Sequence, residues 1–95
     1  MPFTVRHFQE TPNPLAVKCI LDKRIRDPGR GPASFRTKDS AAQDPLGSAL
    51  FGVPGVTTLL INDDWITVNK EPGVEWAAVK AGVSAVLARF EESAA

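Results

Sequence analysis

The chain has 95 residues and a mass of 10.2 kDa, which leaves room for one small domain and excludes two. Hydrophobic residues make up 43 % and charged residues 23 %, values that exclude disordered and fibrous classes and predict a folded, soluble domain. Eleven basic and eleven acidic residues cancel, which argues against a dedicated nucleic-acid binder, yet residues 1–38 hold eight basic and three acidic side chains and residues 39–95 hold three and eight.

Along Phe3-Thr4-Val5-Arg6-His7-Phe8, apolar and polar residues alternate as in a half-buried strand, predicted over residues 3–9. Thr11-Pro12-Asn13-Pro14 follows; its two prolines fix φ and remove backbone donors, so it reads as a rigid connector. Residues 15–21 form an apolar, partly β-branched run suited to a second strand antiparallel to the first. Residues 22–38 lose the apolar pattern. Lys23, Arg24, Arg26, Arg30, Arg36 and Lys38 alternate with Pro28-Gly29 and Gly31-Pro32, the signature of a long basic loop, with Ala33-Ser34-Phe35 as a short edge strand inside it.

Asp44-Pro45 places a capping carboxylate before a proline at the first helical position, predicting a short helix over 45–51 that Gly52 and Pro54 end. A hairpin is predicted over 56–70, turning at Asn62-Asp63-Asp64. After Pro72-Gly73, Trp76, Val79, Val83, Val86, Leu87 and Phe90 recur at spacings of three and four, an amphipathic helix over about 74–91. Gly82 inside it costs about 1 kcal/mol relative to Ala, so a packing reason such as close approach to the sheet is expected there. The fold class is α+β: an antiparallel sheet of two hairpins with two helices packed on one face, ββ-α-ββ-α, in a single domain spanning 1–95.

The only cysteine, Cys19, excludes an intrachain disulfide, a four-thiolate zinc site and any C-x-x-C motif. No apolar run approaches 18 residues, and the N-terminus lacks a signal-peptide layout, so a reducing, cytoplasmic setting without a membrane is expected.

Thr11-Pro12-Asn13-Pro14 with Lys18, then Asp44-Pro45-Leu46, Leu50-Phe51, Pro54-Gly55-Val56, Asp64-Trp65-Ile66-Thr67-Val68, Lys70 and Trp76 resemble the N-terminal domain of Nfu-type iron–sulfur scaffold proteins. The resemblance runs from about residue 4 to residue 90. Full-length relatives add a domain whose C-x-x-C pair holds the cluster. This sequence ends at Ala95 without one, so a stand-alone, bacterial-type domain is expected, with no cofactor bound by this chain. The resemblance implies a non-enzymatic accessory domain in iron–sulfur cluster assembly or delivery, acting through a protein partner and taking no small-molecule substrate.

The candidate docking residues are Thr11, Pro12, Asn13, Pro14, Lys18 and Lys70, although Lys70 itself reads as solvated. In the connector, Thr11 and Asn13 side chains are expected to bond the turn backbone. Lys23, Arg24, Arg26 and Arg30 are candidates for anion contact, the basis of an alternative reading as a polyanion or nucleic-acid binder through loop 22–38. A third reading is a small thiol or metal protein in which Cys19 faces His7 on the neighbouring strand; against it, Cys19 alternates into the core, and no third ligand is present. No metal ligands are assigned. Asp63 and Asp64 read as turn residues, and the Trp76-to-Phe90 stripe as core.

Overall fold

A computed structural model describes residues 3–26, 29 and 31–90. The elements are β1 (Val5–Glu10), β2 (Ala16–Leu21), β3 (Ala33–Phe35), a 3-10 turn (Asp39–Ala41), α1 (Pro45–Phe51), β4 (Val56–Asn62), β5 (Trp65–Lys70) and α2 (Trp76–Arg89). The strands form one sheet in the order β1-β2-β5-β4-β3, and every neighbouring pair is antiparallel. The expected α+β class and both hairpins are present, with β3 as a fifth strand on the β4 edge.

The strand register sorts the side chains onto two faces, because residues directly opposite one another point the same way. Phe8, Cys19, Ile66, Ile61 and Ala33 form one row across the sheet, and Glu10, Val17, Val68, Leu59 and Phe35 the next. These rows face the helices. Val17, Cys19, Leu59, Ile61, Ile66 and Val68 are buried with Leu46 and Leu50 of α1 and Val79, Val83 and Leu87 of α2. The opposite face carries the intervening row Gln9, Lys18, Thr67, Leu60, Ser34 and, beside it, His7, Ile20, Trp65, Asn62.

β1 departs from simple alternation. Val5 pairs with Leu21 but His7 with Ile20, so Arg6 is an extra residue in a β-bulge. The insertion reverses the phase of the strand, turning Phe8 inward and His7 outward. The strand also starts later than the predicted residue 3. Phe3 lies ahead of it, yet its ring is in the core, and its N–H donates to the Leu87 carbonyl at 3.0 Å, tying the chain start to the end of α2.

α1 covers the predicted residues. Asp44 Oδ1 accepts from the Leu46 and Gly47 N–H groups at 3.0 and 3.1 Å, with Pro45 in the first turn. Two orphan amides are thereby satisfied, an interaction of about 1 kcal/mol. α2 begins at Trp76, two residues after the predicted start, because the turn through Gly73, at φ +88°, persists to the extended Glu75. Within loop 22–38, β3 pairs with β4, and the stretch before it folds against the second hairpin: the Asp63 carbonyl accepts from Ile25 and Arg26, and the Asp64 carbonyl from Leu21.

Gly82 has the packing reason expected of it, though the partner is not the sheet. A Cβ there would stand 2.6 Å from Cγ1 of Val53, a buried residue in the connection after α1. Gly82→Ala should therefore destabilise the domain by roughly 1–2 kcal/mol despite better helix propensity. In a Val53→Ala background the same change should become neutral or stabilising. Urea unfolding of the four proteins checks this, and additivity would show that the Val53 contact is not the cause.

Candidate functional site

The Thr11–Pro14 connector is a turn stiffened from within. The Thr11 hydroxyl lies 2.9 Å from the Asn13 carbonyl and 3.1 Å from that of Ala16, and it accepts from the Asn13 N–H at 3.2 Å. Asn13 Oδ1 accepts from the Leu15 N–H at 2.9 Å, and the Asn13 carbonyl from the Ala16 N–H at 3.0 Å. With prolines at 12 and 14 lacking donors, the polar capacity of Thr11 and Asn13 is directed into the turn.

The turn is anchored to both of its neighbours. Lys70 N–H donates to the Leu15 carbonyl at 2.8 Å, and the Trp76 indole N–H donates to the Pro14 carbonyl at 3.0 Å. Between the turn and the first turn of α2 lies a groove of about 370 Å³, walled by Glu10, the Thr11–Pro14 turn, Val17, Trp76 and Lys80. Trp76 and Lys80 are four residues apart on one helix flank, so indole and ammonium border the groove together. The spacing of Trp76 predicts a core residue. It is half-buried, and its polar edge serves the turn. Lys80 was not singled out in the sequence, although its spacing from Trp76 was the available signal.

The two lysines named as docking candidates stand on opposite faces. Lys18 is on the outward face, its Nζ 4.5 Å from the centroid of the Trp65 ring. Lys70 continues the inward alternation of Ile66 and Val68 and is only 9 % exposed, which corrects its reading as a solvated side chain. Its apolar stem is buried, and its ammonium lies 5.3 Å from the Trp76 centroid and 3.4 Å from the Glu71 carbonyl it donates to. Lys23 likewise lies over Phe3 at 5.0 Å and Lys80 over Phe8 at 5.2 Å. Such contacts usually occur about once per 70–80 residues. Four of the five lysines here rest on aromatic rings, and among the described residues none of the four pairs with a carboxylate.

The basic loop's candidates are partly engaged within the molecule. Arg24 Nε meets Asp63 Oδ1 at 3.0 Å, the only ion pair among the described residues, and Arg26 Nε donates to the Gly31 carbonyl at 2.6 Å. Arg30 lies outside the described residues. Asp63 adopts φ +46° in the two-residue hairpin turn, as its reading as a turn residue requires.

The bulge removes the Cys19–His7 pairing. Phe8, not His7, faces Cys19, while His7 is exposed on the other side beside Ile20. Cys19 is fully buried, and burial pushes its thiol up from 9.0 to about 12, with Lys80 opposing the shift. Metals and clusters bind thiolate, so this side chain does not fit an iron–sulfur cluster. Among the described residues, no three His, Cys, Asp or Glu side chains converge as a metal site.

These features define a small antiparallel-sheet domain with helices on one face and a rigid, tryptophan-bordered corner. Residues 6–94 match the family model described as the N-terminal domain of the scaffold protein Nfu/NifU, and the chain belongs to that family. A NifU-like protein of Schizosaccharomyces pombe is 35 % identical over 79 residues, covering 83 % of this chain and 30 % of that protein. A mitochondrial iron–sulfur cluster scaffold homolog of Drosophila ananassae is 35 % identical over 82 residues, covering 86 % and 28 %. The chain thus spans under a third of the length of these curated relatives. The crystal structure of a Staphylococcus aureus protein superposes with a TM-score of 0.73 at 26 % identity, covering 87 % of this chain and 96 % of that one. A NifU-like protein from Saccharomyces cerevisiae superposes at 0.74 and 26 % identity, covering 88 % and 76 %.

The Cys19 environment makes a prediction with a definite sign. A folded-state pKa of about 12 against 9.0 in the unfolded chain means that the folded state keeps its proton longer. This contribution is therefore fully present below pH 9 and falls as pH rises from 9 toward 12, by at most about 1.4 kcal/mol per pH unit. The decline should be absent from the same measurement on Cys19→Ala. At pH 8, iodoacetamide should label the native thiol at least a hundredfold more slowly than the urea-unfolded chain, given roughly a thousandfold less thiolate.

Proposed function

We propose that the domain is a non-enzymatic contact module in iron–sulfur cluster assembly and that it engages its protein partner through the Thr11–Pro14 corner. The observation that carries this reading is the corner itself: a turn bonded from within, anchored to β5 and α2, beside a groove bordered by Trp76 and Lys80. A rigid loop on a packed scaffold is a preorganised contact surface, because little further ordering is needed on binding. A half-exposed tryptophan at its edge is the residue type that most often dominates binding energy. Family membership supports the pathway, since relatives are described as iron–sulfur cluster scaffolds. Cys19 is the wrong residue in the wrong place to hold a cluster, so on this reading the chain contributes contact and another thiolate-bearing component holds the cargo. The Drosophila relative is described as mitochondrial, and a reducing compartment of either kind suits a buried free thiol.

Anaerobic reconstitution with iron and sulfide should yield no stoichiometric cluster chromophore on this chain; one that appeared would overturn the contact-only role. Titration of the 15N-labelled domain with the C-x-x-C domain of a full-length relative should shift the Thr11, Asn13, Leu15 and Lys80 amides and the Trp76 indole. Trp76→Ala should weaken that binding about fivefold or more. Saturable binding that left those resonances unmoved would remove the corner from the interface while leaving the pathway intact.

A further inference from the structure

The sheet face that no helix covers has the composition of a contact surface. Ile20, Trp65 and Leu60 lie at its centre, on β2, β5 and β4, partly exposed and packed against nothing in the core cluster. Around them stand Lys18, His7, Gln9, Thr67, Asn69 and Ser34. An apolar centre with an aromatic anchor and a polar rim is the anatomy of a protein–protein interface. No outward position of the strands carries a carboxylate. Glu10 turns inward opposite Val17, and Asp63 and Asp64 lie in the hairpin turn at the end of the sheet, Asp63 tied to Arg24. The cation on the face is Lys18, held over the Trp65 ring. Beside Trp65 in the same row stands the half-buried Asn62.

We infer that this open face is a second docking surface, for a partner protein that presents apolar side chains ringed by carboxylates. A second copy of the same face would offer Lys18 no carboxylate, so the charge favours a partner of the opposite sign over self-association. The extent of the face sets the strength. The strands of six or seven residues rise about 20 Å, and with the three-residue β3 the five span about 20 Å, so the flat area is at most on the order of 400 Å². That is about half of what each partner buries in a stable complex, and it describes a weak, exchangeable contact. The surface lies on the opposite side of the sheet from the α2 flank that borders the Thr11–Pro14 groove, and the inference does not depend on the function of that groove.

The test uses the whole domain, 15N-labelled, and a ten-residue synthetic peptide carrying a Leu–Phe pair flanked by glutamates, with the lysine-flanked counterpart and an oligothymidylate as comparisons. Saturable shifts confined to Ile20, Leu60, Trp65 and Thr67, weakening as salt rises and absent with the lysine peptide, are expected. Lys18→Glu and Trp65→Ala, each verified as folded by amide dispersion, should weaken binding roughly tenfold. Equal response to both peptides, no response to either, preferential response to the oligothymidylate, or concentration-dependent shifts of these residues in the domain alone would each overturn the inference. Because Trp65→Ala leaves Thr11–Pro14, Lys18, Lys70 and Trp76 untouched, it should bind the C-x-x-C domain as before whether or not the open-face inference holds.

Discussion

The pairing of β2 with β5 is the constraint on which the rest of the molecule depends. Each hairpin alone is a two-stranded ribbon, a form that is marginal in water. Joining them through Ala16–Ile20 and Trp65–Asn69 makes a sheet wide enough to carry a core, and it fixes the phase of every side chain on the central strands. A slip of one residue would exchange Cys19, Ile66 and Val68 for Lys18, Thr67 and Asn69 beneath the helices. Burial of the first set under Val79, Val83 and Leu87 therefore holds the register. The same register delivers Lys70 to Trp76 at one end of the sheet and Trp65 to Lys18 on the other face.

The balanced charge of the chain takes on a spatial meaning from this arrangement. Six of the eight basic residues of the first 38 lie between positions 22 and 38, in the stretch that runs from β2 through β3 on the opposite edge of the sheet, while Asp44, Asp63, Asp64 and Glu75 sit at helix caps and the hairpin turn. Lysines resting on rings are drawn to the aromatic faces, and among the described residues none of these four makes an ion pair. The described residues thus place Lys18, Lys23, Lys70 and Lys80 next to aromatic surface.

Much of this was legible in the residues. Asp44-Pro45 announced α1 because a cap and a fixed φ are local effects, and β4–β5 was plain because alternation and turn sit within fifteen residues. What escaped notice was set by tertiary placement. Val5 and Phe8 both point inward although three residues apart, a spacing that only an extra residue can reconcile with a strand; taking the alternation as unbroken put His7 on the wrong side and suggested a Cys19–His7 site that the fold does not make. Lys70 looked solvated because its charge was weighed without its stem, yet its position continues the inward phase of Ile66 and Val68. The partner of Gly82 lay in a connection whose path no periodicity reveals. Of the corner, the turn chemistry of Thr11 and Asn13 could be read directly, while the approach of Trp76, 62 residues from Pro14, could not.

The hairpin turn at Asp63 and Asp64 has a further implication for how the fold tolerates change. Its carbonyls receive the N–H groups of Leu21, Ile25 and Arg26, while Ala33 is already paired with Ile61, so the chain is pinned on either side of residues 27–32. With both ends fixed by backbone bonds to the same hairpin, lengthening the intervening stretch adds only a slowly growing loop-closure entropy, about 0.6 kcal/mol per doubling. The domain thereby possesses a splice point, a place where descendants can acquire new sequence without renegotiating the sheet.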